Sequence, residues 1–286
     1  MKRPIFIYDA FTKEKFGGNG AGILFHAEEL STAEKQNLAK ELGFSETVFI
    51  QASEKADFKF EYFTPKQEVD LCGHATIAAI YSLFEENRIS EDKDRITIDT
   101  KLGVLPIFLE RQGKELLSVW MEQDEGDLSF TLDIAEEEIL ASLGLTEKDR
   151  NRKFLLVKAY SGLWDLMIPL ASKEALDKIQ IDFSKVEALS EKLSVISFHP
   201  FFLEDKHVYV RNFAPIVDIP EESATGTSNG ALAFYLFKQG YLSENEILYC
   251  HQGESLQRKS QILAKITREE KILVGGEAIR ILQGEY

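Results

Sequence analysis

Gly73-His74-Ala75-Thr76-Ile77-Ala78-Ala79-Ile80-Tyr81-Ser82-Leu83-Phe84 is echoed later in the chain by Gly226-Thr227-Ser228-Asn229-Gly230-Ala231-Leu232-Ala233-Phe234-Tyr235-Leu236-Phe237. The echo extends upstream, where Phe63-Thr64-Pro65 precedes the first copy and Phe213-Ala214-Pro215 the second. Each copy reads as strand, turn, glycine and a small-residue apolar helix, the pattern of a duplicated domain rather than of a short-period solenoid. A glycine that opens a buried helix leaves backbone N–H groups unpaired, and the aligned peptide dipoles make that end attractive to a carboxylate or phosphate. Two such ends facing each other would form an anion site.

Length and composition bound the function. A chain of 286 residues predicts about two domains, each large enough for its own core. Hydrophobic residues at 44% and charged residues at 28% are ordinary for a soluble globular protein. Lys and Arg total 33 against 48 Asp and Glu, a net charge of −15. That balance repels polyphosphate and argues against a nucleic-acid partner. The start, Met1-Lys2-Arg3-Pro4 followed by the strand-like Ile5-Phe6-Ile7-Tyr8, has too short an apolar run for a signal peptide. No stretch elsewhere approaches a membrane span, so a cytoplasmic protein without a membrane partner is expected. Two cysteines, Cys72 and Cys250, do not amount to a disulfide framework and fit a reducing compartment.

Strands outnumber helices along the chain. Strands are expected at Ile5 to Phe11, Thr47 to Gln51, Phe58 to Phe63, Arg95 to Asp99 and Val104 to Leu109. In the second half they are expected at Lys153 to Ala159, Trp164 to Leu170, Val195 to Phe198, His207 to Asn212, Glu246 to Cys250 and Gln261 to Thr267. Ser31 with Glu34 forms a capping box, and Gly43 stops that helix after Leu42. Two further helices are expected around Glu136 to Leu143 and Val186 to Leu193. Glu110 to Lys114 reads as a hairpin turn near the end of the first half. The halves are therefore drawn as 1–115 and 116–286, with the strand near 275–286 allotted to the first. No low-complexity linker divides them, which favours close packing and a site between them.

Several chemistries are tested and set aside. Gly17-Gly18-Asn19-Gly20-Ala21-Gly22 is glycine-rich but lacks the spacing of a dinucleotide fingerprint, and Ile23-Leu24-Phe25 after it reads as strand rather than helix. No nucleotide cofactor is expected. Cys72 with His74 and Cys250 with His251 lack the usual zinc-ligand spacing, so no metal is expected either. There is no nucleophile-elbow pentapeptide, and Cys72 has no matching cysteine around Glu222, Ser223 or Ala224, which argues against a two-cysteine racemase.

Polar residues at privileged places remain. Glu46 stands between a helix stop and a strand start, in a segment otherwise bound for the core; composition alone makes it an exposed loop acid. His74 and Thr227 occupy equivalent positions after the two repeat glycines, where the bland reading is helix capping or a satisfied core hydrogen bond. Glu222 precedes the second copy, where a solvated acid is favoured by the helix start. Together, at matching ends of a duplicated fold, they point to one converging site.

At these residues the sequence resembles the phenazine-biosynthesis PhzF-like isomerases of the diaminopimelate-epimerase-like fold. The resemblance is carried by Asp9-Ala10-Phe11-Thr12, Phe16-Gly17-Gly18-Asn19, Ser45-Glu46-Thr47, Phe63-Thr64-Pro65 and Leu71-Cys72-Gly73-His74-Ala75-Thr76. It continues in Arg211-Asn212-Phe213-Ala214-Pro215, Ala224-Thr225-Gly226, Gln252-Gly253 and Val274-Gly275-Gly276. It implies an α+β fold of two pseudo-repeated domains, each a curved, mostly antiparallel sheet wrapped around a central helix, with the site in the cleft between them. It also implies a homodimer without metal, flavin or nicotinamide. By the same resemblance Glu46 is the general acid/base that moves a proton, since one carboxyl can act first as base and then as acid. His74, Asn19, Glu222 and Thr227 are placed against the substrate, and the helix-start amides at Gly73 and Gly226 against its carboxylate.

The second motif departs from the family pattern. Where a Glu-Asp-Pro-Ala-Thr-Gly-Ser run is usual, this chain has Glu221-Glu222-Ser223-Ala224-Thr225-Gly226-Thr227, with a longer acid and an added methyl. Gly20 replaces a usual proline after Asn19, and Gln257-Arg258-Lys259-Ser260 replaces Gly-Arg-Pro-Ser. Proton transfer on a small carboxylate other than the phenazine precursor accommodates these changes best. The alternatives are a small-carboxylate-binding protein without turnover and, third, a cysteine-assisted epimerase using Cys72.

Overall fold

The computed structural model describes residues 2–286, and their contacts divide into two units. The first runs to Glu122 and takes back Gly275–Tyr286; the second is Gln123–Val274. Each is an α+β unit whose mostly antiparallel strands surround one buried helix.

In the first unit Pro4–Ala10 pairs antiparallel with both Asn19–Leu24 and Ala278–Glu285. Asn19–Leu24 runs parallel to Glu46–Gln51, and α1 (Thr32–Leu42) makes the crossover that a parallel pair requires. The Ser31–Glu34 capping box is present, and Gly43 ends the helix in the left-handed conformation at φ 70°. Glu46–Gln51 then pairs antiparallel with Phe58–Phe63. α2 (Gly73–Glu85) makes a second crossover, to Arg95–Thr100, which runs parallel to Phe58–Phe63. Gly103–Gln112 and Glu115–Glu122 complete the unit, joined at Gly113.

The second unit repeats this order. Val157–Tyr160 pairs antiparallel with Trp164–Pro169, which runs parallel to Ser197–Glu204 after a crossover, and three helices lie in this part of the chain. Those helices are α3 (Glu136–Ser142), which precedes the pair, and then α4 (Lys173–Asp177) and α5 (Phe183–Leu193), which make the crossover. Ser197–Glu204 pairs antiparallel with His207–Val210, and α6 (Gly226–Lys238) crosses to Leu248–Gln252, parallel to His207–Val210. Ser260–Ile266 closes the series antiparallel. The duplication heard in the two helices is thus a duplication of strand pairing.

The helices α2 and α6 are thirteen residues each. A helix apolar on every side has no face for water and belongs in a core. His74 to Leu83 of α2 and Ser228 to Leu236 of α6 are buried without a break. A separate core in the second unit packs Ile139, Leu140, Val186, Leu189 and Leu193 of α3 and α5 on Leu166, Ile168 and Phe198.

The second unit also buries a polar network. Ser197 Oγ donates to Asp165 Oδ1 at 2.5 Å, and Asn212 Nδ2 donates to Ser197 Oγ at 2.9 Å, Ser228 Oγ at 3.0 Å and His199 Nδ1 at 3.0 Å. Burial raises the Asp165 carboxyl to about 6 and lowers the His199 imidazole to about 3. His199 therefore contributes stability that is complete above its ordinary 6.5 and is lost as pH falls toward about 3. Asp165 acts in the opposite sense, since the native carboxyl gains its proton at about 6 and the unfolded one only at 3.8. The thermal midpoint should fall on acidification, most steeply below pH ~4, where the Asp165 compensation ends. NMR should show a neutral His199 ring at pH ~5; a ring titrating at its ordinary value would contradict this.

Candidate functional site

In the first unit, Asn19, Glu46 and His74 come together. The loop before Asn19 is held by Asp9, whose Oδ2 accepts from Phe16 N at 2.8 Å, and turns through Gly18 at φ 57°. Asn19 then enters its strand opposite Ala10. The segment 17–22 is therefore turn and strand, as its hydrophobic continuation predicts, and not a phosphate loop followed by a helix. Glu46 opens the next strand and is half-buried. His74 lies in the first turn of α2, 7% exposed.

His74 is the centre of the cluster. Its Nδ1 is 3.3 Å from Asn19 Nδ2 and 3.3 Å from Cys72 Sγ, while its Nε2 is 3.2 Å from Glu46 Oε2. Ser45 Oγ lies 3.5 Å from the same Nε2 and donates to Asn19 Oδ1 at 3.4 Å. An amide N–H can only donate to an unprotonated ring nitrogen, so Nδ1 holds the lone pair and Nε2 carries the proton, 3.2 Å from Glu46 Oε2. Burial drives the His74 pKa down, opposed by the Glu46 charge, which keeps the ring neutral near pH 7. A neutral donor beside Glu46 orients that carboxylate without locking it in a strong ion pair.

The starts of α2 and α6 are alike. The N-cap residues are Cys72 and Thr225, and neither side chain bonds to a free amide of its helix. His74 and Thr227 stand two residues past these caps, so neither is a helix cap. A Cβ built on Gly73 would meet nothing within 4 Å, so its surface is open to an approaching group. Neither Gly73 nor Gly226 has a positive φ, so freedom of backbone conformation is not what the two glycines supply.

In the second unit, Glu222, Gly226 and Thr227 lie at the α6 start. Glu222 Oε2 accepts from Thr225 Oγ1 at 2.7 Å, and Ser161 Oγ donates to the Thr227 carbonyl at 2.8 Å. Two residues outside the expected set organise this end. Gln252 Oε1 accepts from Thr225 N at 3.2 Å and from Asn229 Nδ2 at 2.9 Å, while its Nε2 donates to the Glu222 carbonyl at 2.8 Å. The signal for Gln252 was present in the Gln252-Gly253 pair; Asn229 lay inside the repeat helix with only its polarity to mark it.

Glu46, Cys72 and His74 each offer a ligand atom, and these lie within 4.8 Å of one another, the one such triple among the described residues. Cys250 is not part of an equivalent set: it is fully buried, its thiol pushed up by burial, while His251 stacks on His207 and Tyr209. A cavity of about 260 Å³ in the second unit is lined by Lys173, Tyr209, Arg211, His251 and Glu254. Its cations are already paired, Lys173 with Asp177 and Glu254, Arg211 with Glu221, and it contains none of the expected site residues.

Cys72 stands beside the cluster, its carbonyl fixed by Thr76 Oγ1 at 2.7 Å. Asn19 also supports His74 Nδ1, so Cys72→Ser should change turnover less than about threefold, a small effect beside removal of an acid/base group. Loss of turnover in a folded Cys72→Ser protein would restore the cysteine-assisted epimerase.

The chain is similar to known proteins in sequence and in fold. Residues 8–284 match the family model described as phenazine biosynthesis-like protein. The chain is 32% identical over 262 residues to the uncharacterized isomerase YfhB of Bacillus subtilis, covering 89% of this chain and 87% of that one. It is 27% identical over 266 residues to the trans-2,3-dihydro-3-hydroxyanthranilate isomerase of Pseudomonas aeruginosa, covering 93% and 90%. The crystal structure of a PhzF-family phenazine biosynthesis protein from Bacillus anthracis superposes with a TM-score of 0.89 at 29% identity, covering 100% of this chain and 99% of that one. Matched almost from end to end in sequence and in fold, the chain belongs to the phenazine biosynthesis-like (PhzF) family and is an isomerase of that family.

Proposed function

We propose that the protein moves a proton between two carbons of a small carboxylate-bearing substrate, without a cofactor, with Glu46 as the general acid/base. The observation that carries this reading is the placement of His74 Nε2 3.2 Å from Glu46 Oε2, at the open start of α2. Glu46 takes a proton from one carbon and returns it to another; the net reaction needs no electron acceptor because no electrons leave the substrate. The Pseudomonas relative, named for a hydroxyanthranilate, supports a carboxylate-bearing ring as the substrate class.

The proposal also assigns the substrate's position. Its carboxylate is held by backbone amides at Gly73 and Gly226, with Asn19, Glu222 and Thr227 orienting the rest. Uncapped amides at both helix starts support this assignment. Gly226→Val should weaken carboxylate binding at least about tenfold by obstructing approach to the backbone. Calorimetric titration of the folded variant tests this, and parental affinity would remove Gly226 from the site. The reading extends to a homodimer in the cytoplasm, following the family resemblance.

A further inference from the structure

The first turn of α6 rests on a buried acid. Asp165, 1% exposed, lies in Trp164–Pro169 with Ser197 as its register partner on the neighbouring strand. Ser197 Oγ donates to Asp165 Oδ1 at 2.5 Å, and Asn212 Nδ2 joins that Ser197 hydroxyl to Ser228 Oγ in α6. Asp165 Oδ2 is buried without a hydrogen-bond partner. An ionised oxygen in that position gives up its hydration with no donor in return, so the geometry favours the protonated acid. Burial raises the carboxyl to about 6, against hydroxyl hydrogen bonds from Ser197 and Ser228 that favour the charged form. The groups that face it carry no charge: Ser197, Ser228, Ala159 on the antiparallel neighbour and, beyond Asn212, His199, whose ring is neutral above about 3. In α2 the position of Ser228 is taken by Ala75, which has no polar group to reach such an acid.

We propose that Asp165 is an affinity-determining residue for the anion at the α6 start: protonated, it leaves that turn free to take a substrate carboxylate, and ionised, it repels the carboxylate through the same turn. The proposal rests on the carboxylate position assigned above to Gly226. Ser228 lies two residues beyond Gly226, within one helical turn of about 5 Å. Like charges held at about that range in a protein interior change an affinity about tenfold or more. Anion affinity is therefore highest while Asp165 holds its proton and falls as pH rises through its titration. Two other acids stand near this turn, Glu222 on Thr225 Oγ1 and Asp124, which accepts from Tyr160 Oη beside Gly162 and Thr227. Asp124 is exposed and Glu222 half-buried, so solvent screens both more than it screens Asp165.

NMR of the full-length protein reads the coupling without a ligand. The Gly226, Thr227 and Ser228 amide signals should titrate with a midpoint at about 6 in the parent and in Asp124→Asn, and should not titrate there in Asp165→Asn. Benzoate, a carboxylate ionised through this range, should bind the parent about tenfold more tightly at pH ~5 than at pH ~8, and Asp165→Asn equally tightly at both. In the parent alone, saturating benzoate should raise the amide midpoint by about one pH unit, the reciprocal of that tenfold. Circular dichroism checks the fold of each variant. Amides that do not titrate in the parent, or a benzoate pH dependence that survives in folded Asp165→Asn, overturn the proposal. Titrating amides with benzoate bound away from Gly226, or not bound, overturn the carboxylate position and the proposal with it, while leaving Asp165 coupled to α6.

Discussion

Replacing Glu46 by glutamine is expected to lower proton exchange into substrate at least about a hundredfold, the usual cost of removing a general acid/base. The amide keeps the size of the carboxylate, and its oxygen can still accept from His74 Nε2–H, so ligand affinity and thermal midpoint should stay near the parental values. That separation is the point of the substitution. A loss of turnover accompanied by loss of folding would report on the strand that Glu46 opens, not on chemistry. Exchange at the parental rate in a folded variant would return Glu46 to the status of a loop acid.

Gly18→Ala should be the most destabilising small change in the first unit. At φ 57° the new Cβ would lie 2.0 Å from the Ala10 carbonyl oxygen, and a backbone atom cannot rotate away as a side-chain tip can. Left-handed strain and overpacking together cost about 3 kcal/mol. Denaturant unfolding measures this, and a midpoint within error of the parent would contradict it. Because Gly18 delivers Asn19 to His74, surviving folded protein should also show a His74 ring whose NMR signals differ from those of the parent.

The parts of the fold that were legible in the sequence are those with strong local chemistry. The repeat helices begin at the two glycines because apolar residues run all round them, and Ser31, Glu34 and Gly43 mark both ends of α1. Elements depending on tertiary context were read short or missed. The strand expected over Val195 to Phe198 runs instead over Ser197–Glu204, through Pro200, which cannot donate a ladder hydrogen bond. The strand continues because it changes antiparallel partner there, pairing Phe198 with Phe213 and Phe201 with Val210. α4 has five residues, too few for periodicity to register, and Glu115–Glu122 lay where the first half had been expected to end.

The candidate site divides along the same line. Glu46 stood out because it interrupts a segment otherwise bound for the core and His74 because it follows a repeat glycine, and the structure puts them 3.2 Å apart. Of the two residues that tie down the α6 start, Gln252 was marked only by the Gln252-Gly253 pair, and Asn229 carries no local signature because a buried amide in a helix looks like any surface one in sequence. The closeness of Cys72 Sγ to both His74 nitrogens was equally hidden, since it depends on the helix turning between residues 72 and 74.

Solvent-deuterium exchange tests the central claim most directly. The parental protein is incubated in heavy water with a panel of small cyclic carboxylates that includes trans-2,3-dihydro-3-hydroxyanthranilate, and carbon-bound deuterium is followed by NMR alongside saturable binding. Proton transfer by Glu46 predicts enzyme-dependent deuterium incorporation into a carboxylate that binds, with incorporation lost in Glu46→Gln while binding is retained. Saturable binding with no incorporation into any bound carboxylate would contradict it and leave a binding protein in place of an enzyme.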